Sequence, residues 1–167
     1  MAKLHYKESD LQIRCVRWFR IQYPAYARLL EHPKNEGCDD RVRGAIAKAE
    51  GVQAGVADLI LHVPSVSFLY NGEMTEEGYT YHSLAIEMKT KTGRQSPEQK
   101  IFQRYFEAAG GQYIIVRDFD DFVAQVSRYM SGVPSAIDDS IREVYQAIQK
   151  EADEAAKREL QRIINKK

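Results

Sequence analysis

The chain has 167 residues and a mass of 19.2 kDa, the size of one ordinary domain able to bury a substantial core without disulfide or metal staples. Hydrophobic residues at 44% and charged residues at 29%, with 5 Pro and 10 Gly, exclude a disordered, collagenous or low-complexity chain. Lys plus Arg at 24 balances Asp plus Glu at 24, which excludes a protein that coats nucleic acid through a global positive field but not one with local acid beside local base. Apolar runs such as Asp58-Leu59-Ile60-Leu61 and Tyr113-Ile114-Ile115-Val116 are too short to span a bilayer, and Met1-Ala2-Lys3-Leu4-His5 leads into no signal-peptide core. The expectation is a soluble, cytoplasmic protein without a membrane partner. Cys15 and Cys38 match no paired zinc spacing and read as free thiols.

Along the chain, about Glu8 to Gln22 reads as a helix, because Leu11, Cys15, Trp18 and Phe19 recur at helical spacing. Glu8 shares that apolar side, where a carboxylate is unusual. Either it lies in the first turn and complements the helix dipole, or it is an acid with a task. Tyr23-Pro24 ends the helix. His32 to Gly37 is a loop, and a basic, Ala-rich segment from Asp40 to Glu50 forms a short helix closed by Gly51. Asp58 to Val63 has the content of a buried strand with an acid at its start, stopped by Pro64. Val66 to Tyr70, Asn71-Gly72 and Tyr79 to Met88 suggest a hairpin excursion before a strong central strand, Leu84 to Lys89.

Ser96-Pro97-Glu98-Gln99 then opens a helix with a cap, a proline at the first position and Gln three residues after the cap; it runs to about Ala109 and stops at Gly110-Gly111. Gln112 to Val116 is a further strand, and Asp118 caps a helix carrying Phe119, Phe122, Val123, Val126 and Met130. From Pro134 the character changes. About Ser135 to Asn165 lacks Gly and Pro and places Ile137, Ile141, Val144, Ile148, Leu160, Ile163 and Ile164 at helical intervals: one long C-terminal helix, or two, with a weak middle at Ala152, Ala155 and Ala156 that argues against a sustained coiled coil. The class is α/β, with a domain over 1–132 and a charged helical extension over 133–167. The Tyr and Phe residues fall mostly on core-like positions, so no base-stacking platform is expected.

The chemistry lies in Asp58, at the head of one apolar strand, and Glu87-Met88-Lys89, at the end of another. Side chains two apart on a strand share a face, so Glu87 and Lys89 project together while Ile86 and Met88 point the other way. Charges on a short apolar strand cost desolvation unless they are paired or used. A structural ion pair at a strand end is one reading. If the Asp58 strand is a neighbour, the other is a pair of converging carboxylates beside one lysine, a site for a divalent cation and phosphodiester hydrolysis.

The wider motifs carry a likeness. Gly51-Val52-Gln53-Ala54-Gly55-Val56-Ala57-Asp58-Leu59-Ile60-Leu61, then Tyr81-His82-Ser83-Leu84-Ala85-Ile86-Glu87-Met88-Lys89, then Gly93-Arg94-Gln95-Ser96-Pro97-Glu98-Gln99 resembles the VRR-NUC branch of the PD-(D/E)xK nuclease superfamily. The likeness extends from Glu8 through about Val116. It implies a restriction-endonuclease-like mixed sheet flanked by helices, and cleavage of DNA with Mg2+ or Mn2+. On that resemblance Asp58, Glu87 and the Met88 carbonyl are metal ligands, Lys89 is the catalytic lysine, Glu8 is the N-terminal helix acid near the metal water, and Gln99 is the polar residue after the ExK strand. Gln99 is equally the third-position partner of a Ser96 capping box. Two departures bear on loop geometry: Ala57 stands where the family usually shows proline, and Ser83 where it shows glycine.

His32, Lys34, Asn35 and Glu36 align with a family loop near the site, although histidine beside proline in a turn is commonly a surface residue. Lys34, Arg43, Lys91, Arg94 and Lys100, with Arg41, Lys48 and Arg104 nearby, are candidates for a phosphate groove. The expected partners are DNA, selected by branched, flapped or junction shape, and a second copy in a homodimer that sets two sites on two strands. A module that keeps the fold and binds DNA or assembles without cutting is the alternative.

Overall fold

A computed structural model of the chain describes residues 3–33, 45–47, 49–70 and 73–164. Lys34, Asn35, Glu36, Cys38, Arg41, Arg43 and Lys48, and the Asn71-Gly72 turn, lie outside the described residues. The elements in order are α1 (Lys3–Gln22), a 3-10 helix (Pro24–Leu29), β1 (Leu30–Glu31), β2 (Leu59–Leu61), β3 (Ser65–Tyr70), β4 (Glu73–Tyr81), β5 (Leu84–Met88), α2 (Pro97–Ala108), β6 (Gln112–Val116), α3 (Phe119–Ser131) and α4 (Ser135–Ile164). The architecture is mixed α/β. Among the described residues no helix is long and apolar enough to cross a membrane.

A four-stranded sheet runs in the order β1-β2-β5-β6. β2 is antiparallel to β1 and β5, while β5 and β6 are parallel. The parallel pair needs a crossover, and α2 supplies it. All five residues of β5 are buried, as a central strand covered on both faces requires. Ala85, with Tyr113 opposite on β6, belongs to a cluster with Ala57, against which Phe102 and Phe106 of α2 pack. Glu87 follows Ala85 by two residues and therefore lies on that α2 side. The remaining excursion, β3 with β4, is a separate antiparallel ribbon whose register shifts between Ser67 and Leu69.

α1 and α3 meet through aromatic rings. Trp18 sits edge-on to Phe122 at 5.8 Å and to Phe119 at 6.5 Å, geometries that suit the ring quadrupoles. The Arg14 guanidinium lies 4.9 Å from the centre of the Phe119 ring. Cys15 is buried, and burial pushes its thiol up to about 12, so it behaves as a small apolar residue. The far end of α3 is tied to the start of β3: Tyr129 Oη donates to the Val63 carbonyl at 2.6 Å and Ser65 Oγ to the Tyr129 carbonyl at 2.6 Å. These bonds satisfy groups that would otherwise be costly to bury.

Two features depart from the sequence expectation. α1 begins at Lys3, so Glu8 lies beyond the first turn and the dipole account of that acid fails. The polypeptide after Pro24 forms a 3-10 turn and a two-residue edge strand where no periodic signal exists. The C-terminal extension, by contrast, is the one long helix that was expected, 30 residues in length. Contacts divide the chain into Met1–Val133 and Pro134–Lys167. Within the second unit, Arg142 Nε bonds both Asp138 carboxylate oxygens, an i,i+4 pair on the helix surface.

The turn before β2 is held by glycine. Gly51 and Gly55 both have positive φ, 96° and 83°, a conformation that costs an L-residue about 1–2 kcal/mol. A Cβ on Gly51 meets nothing within 4 Å, whereas one on Gly55 would stand 2.4 Å from the Glu98 carbonyl carbon and 2.7 Å from the Gln99 nitrogen, both backbone atoms. In thermal melts Gly51→Ala is expected to lose only the conformational cost, and Gly55→Ala clearly more, because the start of α2 must move. Equal losses would contradict the close approach of this turn to α2.

Candidate active site

The β2–β5 register brings two acids together. Leu59 pairs with Ile86, Ile60 with Ala85 and Leu61 with Leu84. Continuing that register by one step sets Asp58 opposite Glu87, and directly opposed residues share a face of the sheet. The placement is locked by a bond: the Met88 N–H donates to Asp58 Oδ2 at 2.7 Å. From the other side, His32 Nδ1 reaches the Asp58 carbonyl oxygen at 2.6 Å. A contact of that length to a carbonyl requires the proton on Nδ1. His32 thus orients the backbone that carries Asp58.

Glu87 is fully buried. Three donors surround its carboxylate: Lys89 Nζ at 2.6 Å and Gln99 Nε2 at 2.5 Å on Oε1, and Tyr113 Oη at 3.0 Å on Oε2. The Lys89 side chain is 13% exposed, so this ion pair is shielded from solvent. Gln99 caps α2 and faces Glu87 with the same amide. Its Oε1 accepts the Ser96 N–H at 2.8 Å, completing the capping box, which leaves the amide nitrogen to face Glu87. Glu8 closes the group: its Oε1 accepts the Thr90 N–H at 2.9 Å, just past Lys89.

The electrostatics follow from burial. Desolvation raises the Asp58 carboxyl above its ordinary value, partly opposed by the Met88 N–H and the Lys89 and His32 charges, with Glu8 adding to the rise. Desolvation also raises Glu87; the bond from Lys89 opposes it, and the Asp58 charge adds to it. Burial followed by the Glu87 charge raises the Tyr113 phenol, which keeps it a neutral donor. Glu87 is thus paired with the Lys89 ammonium, while Asp58 and Glu8 are held by the backbone N–H groups of Met88 and Thr90 on either side of Lys89. Among the described residues no three His, Cys, Asp or Glu side chains converge as a metal cage. Two neighbouring carboxylates nonetheless suit Mg2+, which keeps several waters and needs only one or two protein carboxylates beside a substrate phosphate. Asp58 and Glu87 fit that donor set. The Met88 side chain is buried, and the residue enters the site through its backbone.

Other residues were not legible as site residues. Arg117 follows β6, and its Nη1 donates to the carbonyls of Thr90 at 2.7 Å, Gly93 at 2.9 Å and Lys91 at 3.4 Å. It gathers the loop whose Thr90 N–H holds Glu8. Tyr113 read as a strand core residue. No sequence signal marks either, because each acts across the sheet or on carbonyl oxygens that any residue supplies. Lys91, Arg94, Lys100 and Arg104 are exposed around this loop and α2, and none forms an ion pair among the described residues. Lys34 and Arg43 lie outside the described residues.

Two outcomes are expected. A carboxyl whose folded value lies above its unfolded value of about 4 contributes stability that is complete below that unfolded value and is lost as pH rises through the folded one. Without divalent cation, Asp58→Asn should therefore melt above the unmodified protein at pH 8, with the gap narrowing as pH falls through the raised folded value and closed below about 4; added Mg2+ should raise only the unmodified protein. A variant that melts lower at pH 8 would show that the Asp58 charge is stabilising. Arg117→Met should cost about 1–3 kcal/mol through stranded carbonyls and speed hydrogen exchange at the Thr90 amide; unchanged Thr90 exchange would separate Arg117 from Glu8.

Comparison with protein-family models and with curated proteins gives no match. Among solved structures, the chain is similar to a "VRR_NUC domain protein", with a TM-score of 0.59 and 20% sequence identity over 75% of this chain and 89% of that one. The chain shares the fold of that VRR_NUC domain protein.

Proposed function

We propose that the chain is a Mg2+- or Mn2+-dependent endonuclease of the VRR-NUC branch of the PD-(D/E)xK superfamily, hydrolysing DNA phosphodiester bonds. The observation that carries this reading is the meeting of Asp58 with the buried Glu87 beside Lys89. Shared fold with a VRR_NUC domain protein adds to it.

In this reading Asp58 and Glu87, with the Met88 carbonyl, would hold the cation. A bound divalent cation supplies Lewis-acid stabilisation of charge on the phosphate and a more acidic water. Each residue of the chain then has a separate task. The Met88 N–H occupies Asp58 Oδ2, so Oδ1 is the oxygen that would be left to hold the cation. Gln99 and Tyr113 keep the Glu87 carboxylate from rotating. Lys89, whose ammonium already lies at the carboxylate edge, contacts the scissile phosphate and orients the attacking water. Glu8, fixed through the Thr90 N–H, would accept a hydrogen bond from a water at the site. Lys91, Arg94 and Lys100, with Lys34 and Arg43, neutralise flanking phosphates. The chain carries no base-reading motif, so groove shape selects branched, flapped or junction DNA, and a homodimer in the cytoplasm presents two such sites to two strands.

The test is cleavage of linear, flapped and four-way DNA in Mg2+, Mn2+ or Ca2+. The unmodified protein should cut in Mg2+ or Mn2+. Asp58→Ala should not cut, and Lys89→Ala should fall by at least about a hundredfold, both retaining DNA binding in Ca2+. Binding without cleavage in any metal would overturn the nuclease reading in favour of a DNA-binding module.

A further inference from the structure

The loop that leaves β5 has a chemistry of its own. Thr90-Lys91-Thr92-Gly93-Arg94 holds two basic residues and no acid, and Lys91, Thr92 and Arg94 are exposed. Arg117 stands behind it. Its guanidinium donates to the carbonyls of Thr90, Lys91 and Gly93, and among the described residues it pairs with no carboxylate. Three cationic groups, Lys91, Arg94 and Arg117, thus meet at one loop without an ion-pair partner.

The direction of the carbonyls fixes the direction of the donors. In a trans peptide the C=O and the N–H that follows it point opposite ways, so the N–H groups of Lys91, Thr92 and Arg94 turn from Arg117 to the outer side of the loop. Among the described residues none of these three has a hydrogen-bond partner. The other two N–H groups of the loop are used: Thr90 donates to Glu8, and Gly93 to the Thr90 carbonyl at 3.1 Å. Free N–H groups gathered on one side of a turn make a concavity for an anion. The hydrogen bonds from the guanidinium polarise the same peptides and strengthen those donors.

The loop also lies against the acids' lysine. A Cβ on Gly93 would stand 2.9 Å from Thr90 Oγ1 and 3.3 Å from Lys89 Cδ, so the turn packs on the Lys89 stem, while the Thr90 N–H ties its start to Glu8. We infer that loop 90–94, backed by Arg117, binds the DNA phosphate next to the one at Lys89. The inference rests on the nuclease reading of the adjoining site and deepens it by naming the groups that seat the cut strand. The three backbone N–H groups take the phosphate oxygens, Lys91 and Arg94 add charge, and Arg117 is a positioning residue that acts through the loop. Phosphate suits this cradle because its anionic oxygens accept several N–H bonds at once. Contacts of this kind fix register on the strand and carry no base preference.

The test starts with the full chain free of metal, titrated with inorganic phosphate and followed by amide NMR. The Lys91, Thr92 and Arg94 amides should shift together along one saturation curve. Lys91→Ala combined with Arg94→Ala should weaken that response but keep all three shifts, whereas Arg117→Met should lose them. In Ca2+, single phosphates of DNA are then replaced by neutral methylphosphonates on both sides of the cut mapped in Mg2+. One position beside the cut should weaken binding by about tenfold or more, and the same replacement should add little in Arg117→Met. If the three amides stay still while the unmodified protein cuts DNA, or if every methylphosphonate position costs the same, the inference is overturned and the nuclease reading stands. If the amides respond but no DNA is cut in any metal, the nuclease reading falls, and with it the assignment of the anion to a cut strand. Should Arg117→Met fail to fold, the amide response and the methylphosphonate profile of the unmodified protein decide by themselves.

Discussion

Burying a carboxylate in the middle of a sheet costs several kcal/mol unless donors replace the water it loses, and the arrangement around Glu87 is organised by that requirement. Its two oxygens take one ammonium, one amide and one phenol, drawn from β5's own end, from the first turn of α2 and from β6. Each donor comes from an element that the parallel β5–β6 pair and its crossover bring to one side of the sheet. Even so, the donors do not fully offset burial, and the carboxyl titrates high. Under the proposed function a hard cation would remove the penalty that the ammonium only reduces.

The supporting residues form a chain of backbone bonds. Met88 N–H holds Asp58, His32 holds the Asp58 carbonyl, Thr90 N–H holds Glu8, and Arg117 holds the loop that contains Thr90. Backbone groups are rigid partners, so the acids are positioned by the strands and loops themselves. Arg117 suits its place because a planar guanidinium can serve several carbonyls at once, which an ammonium does less well. Gln99 shows economy of a similar kind: one amide caps α2 with its oxygen and restrains Glu87 with its nitrogen, so helix start and acid are set by the same side chain.

Much of the fold was legible because its signals are local. Alternating and continuous apolar runs mark β2, β5 and β6; Ser96 with Pro97 and Gln99 marks the start of α2; Asp118 marks α3. The placing of Glu87 and Lys89 on one face follows from strand periodicity alone, and Glu8 stood out because a carboxylate on an apolar helical stripe is unusual. The edge strand at Leu30–Glu31 and the separate β3–β4 ribbon were harder, since a two-residue strand has no period and pairing partners are a long-range choice. The glycines before Asp58 were legible as a turn, but only the approach of Gly55 to the backbone of α2 explains why a side chain is excluded there.

By itself the amino-acid order determined which residues are charged, capped or strand-forming, because propensity, capping and periodicity act over a few neighbours. It thereby named the acids and the lysine. The tertiary structure alone decided that Asp58 stands opposite Glu87, that Tyr113 and Gln99 complete the donor shell, that Arg117 gathers the loop, and that Tyr105 faces solvent. Those outcomes depend on strand order, register and helix rotation, which arise when distant segments minimise exposed apolar surface together and which no short window of residues encodes.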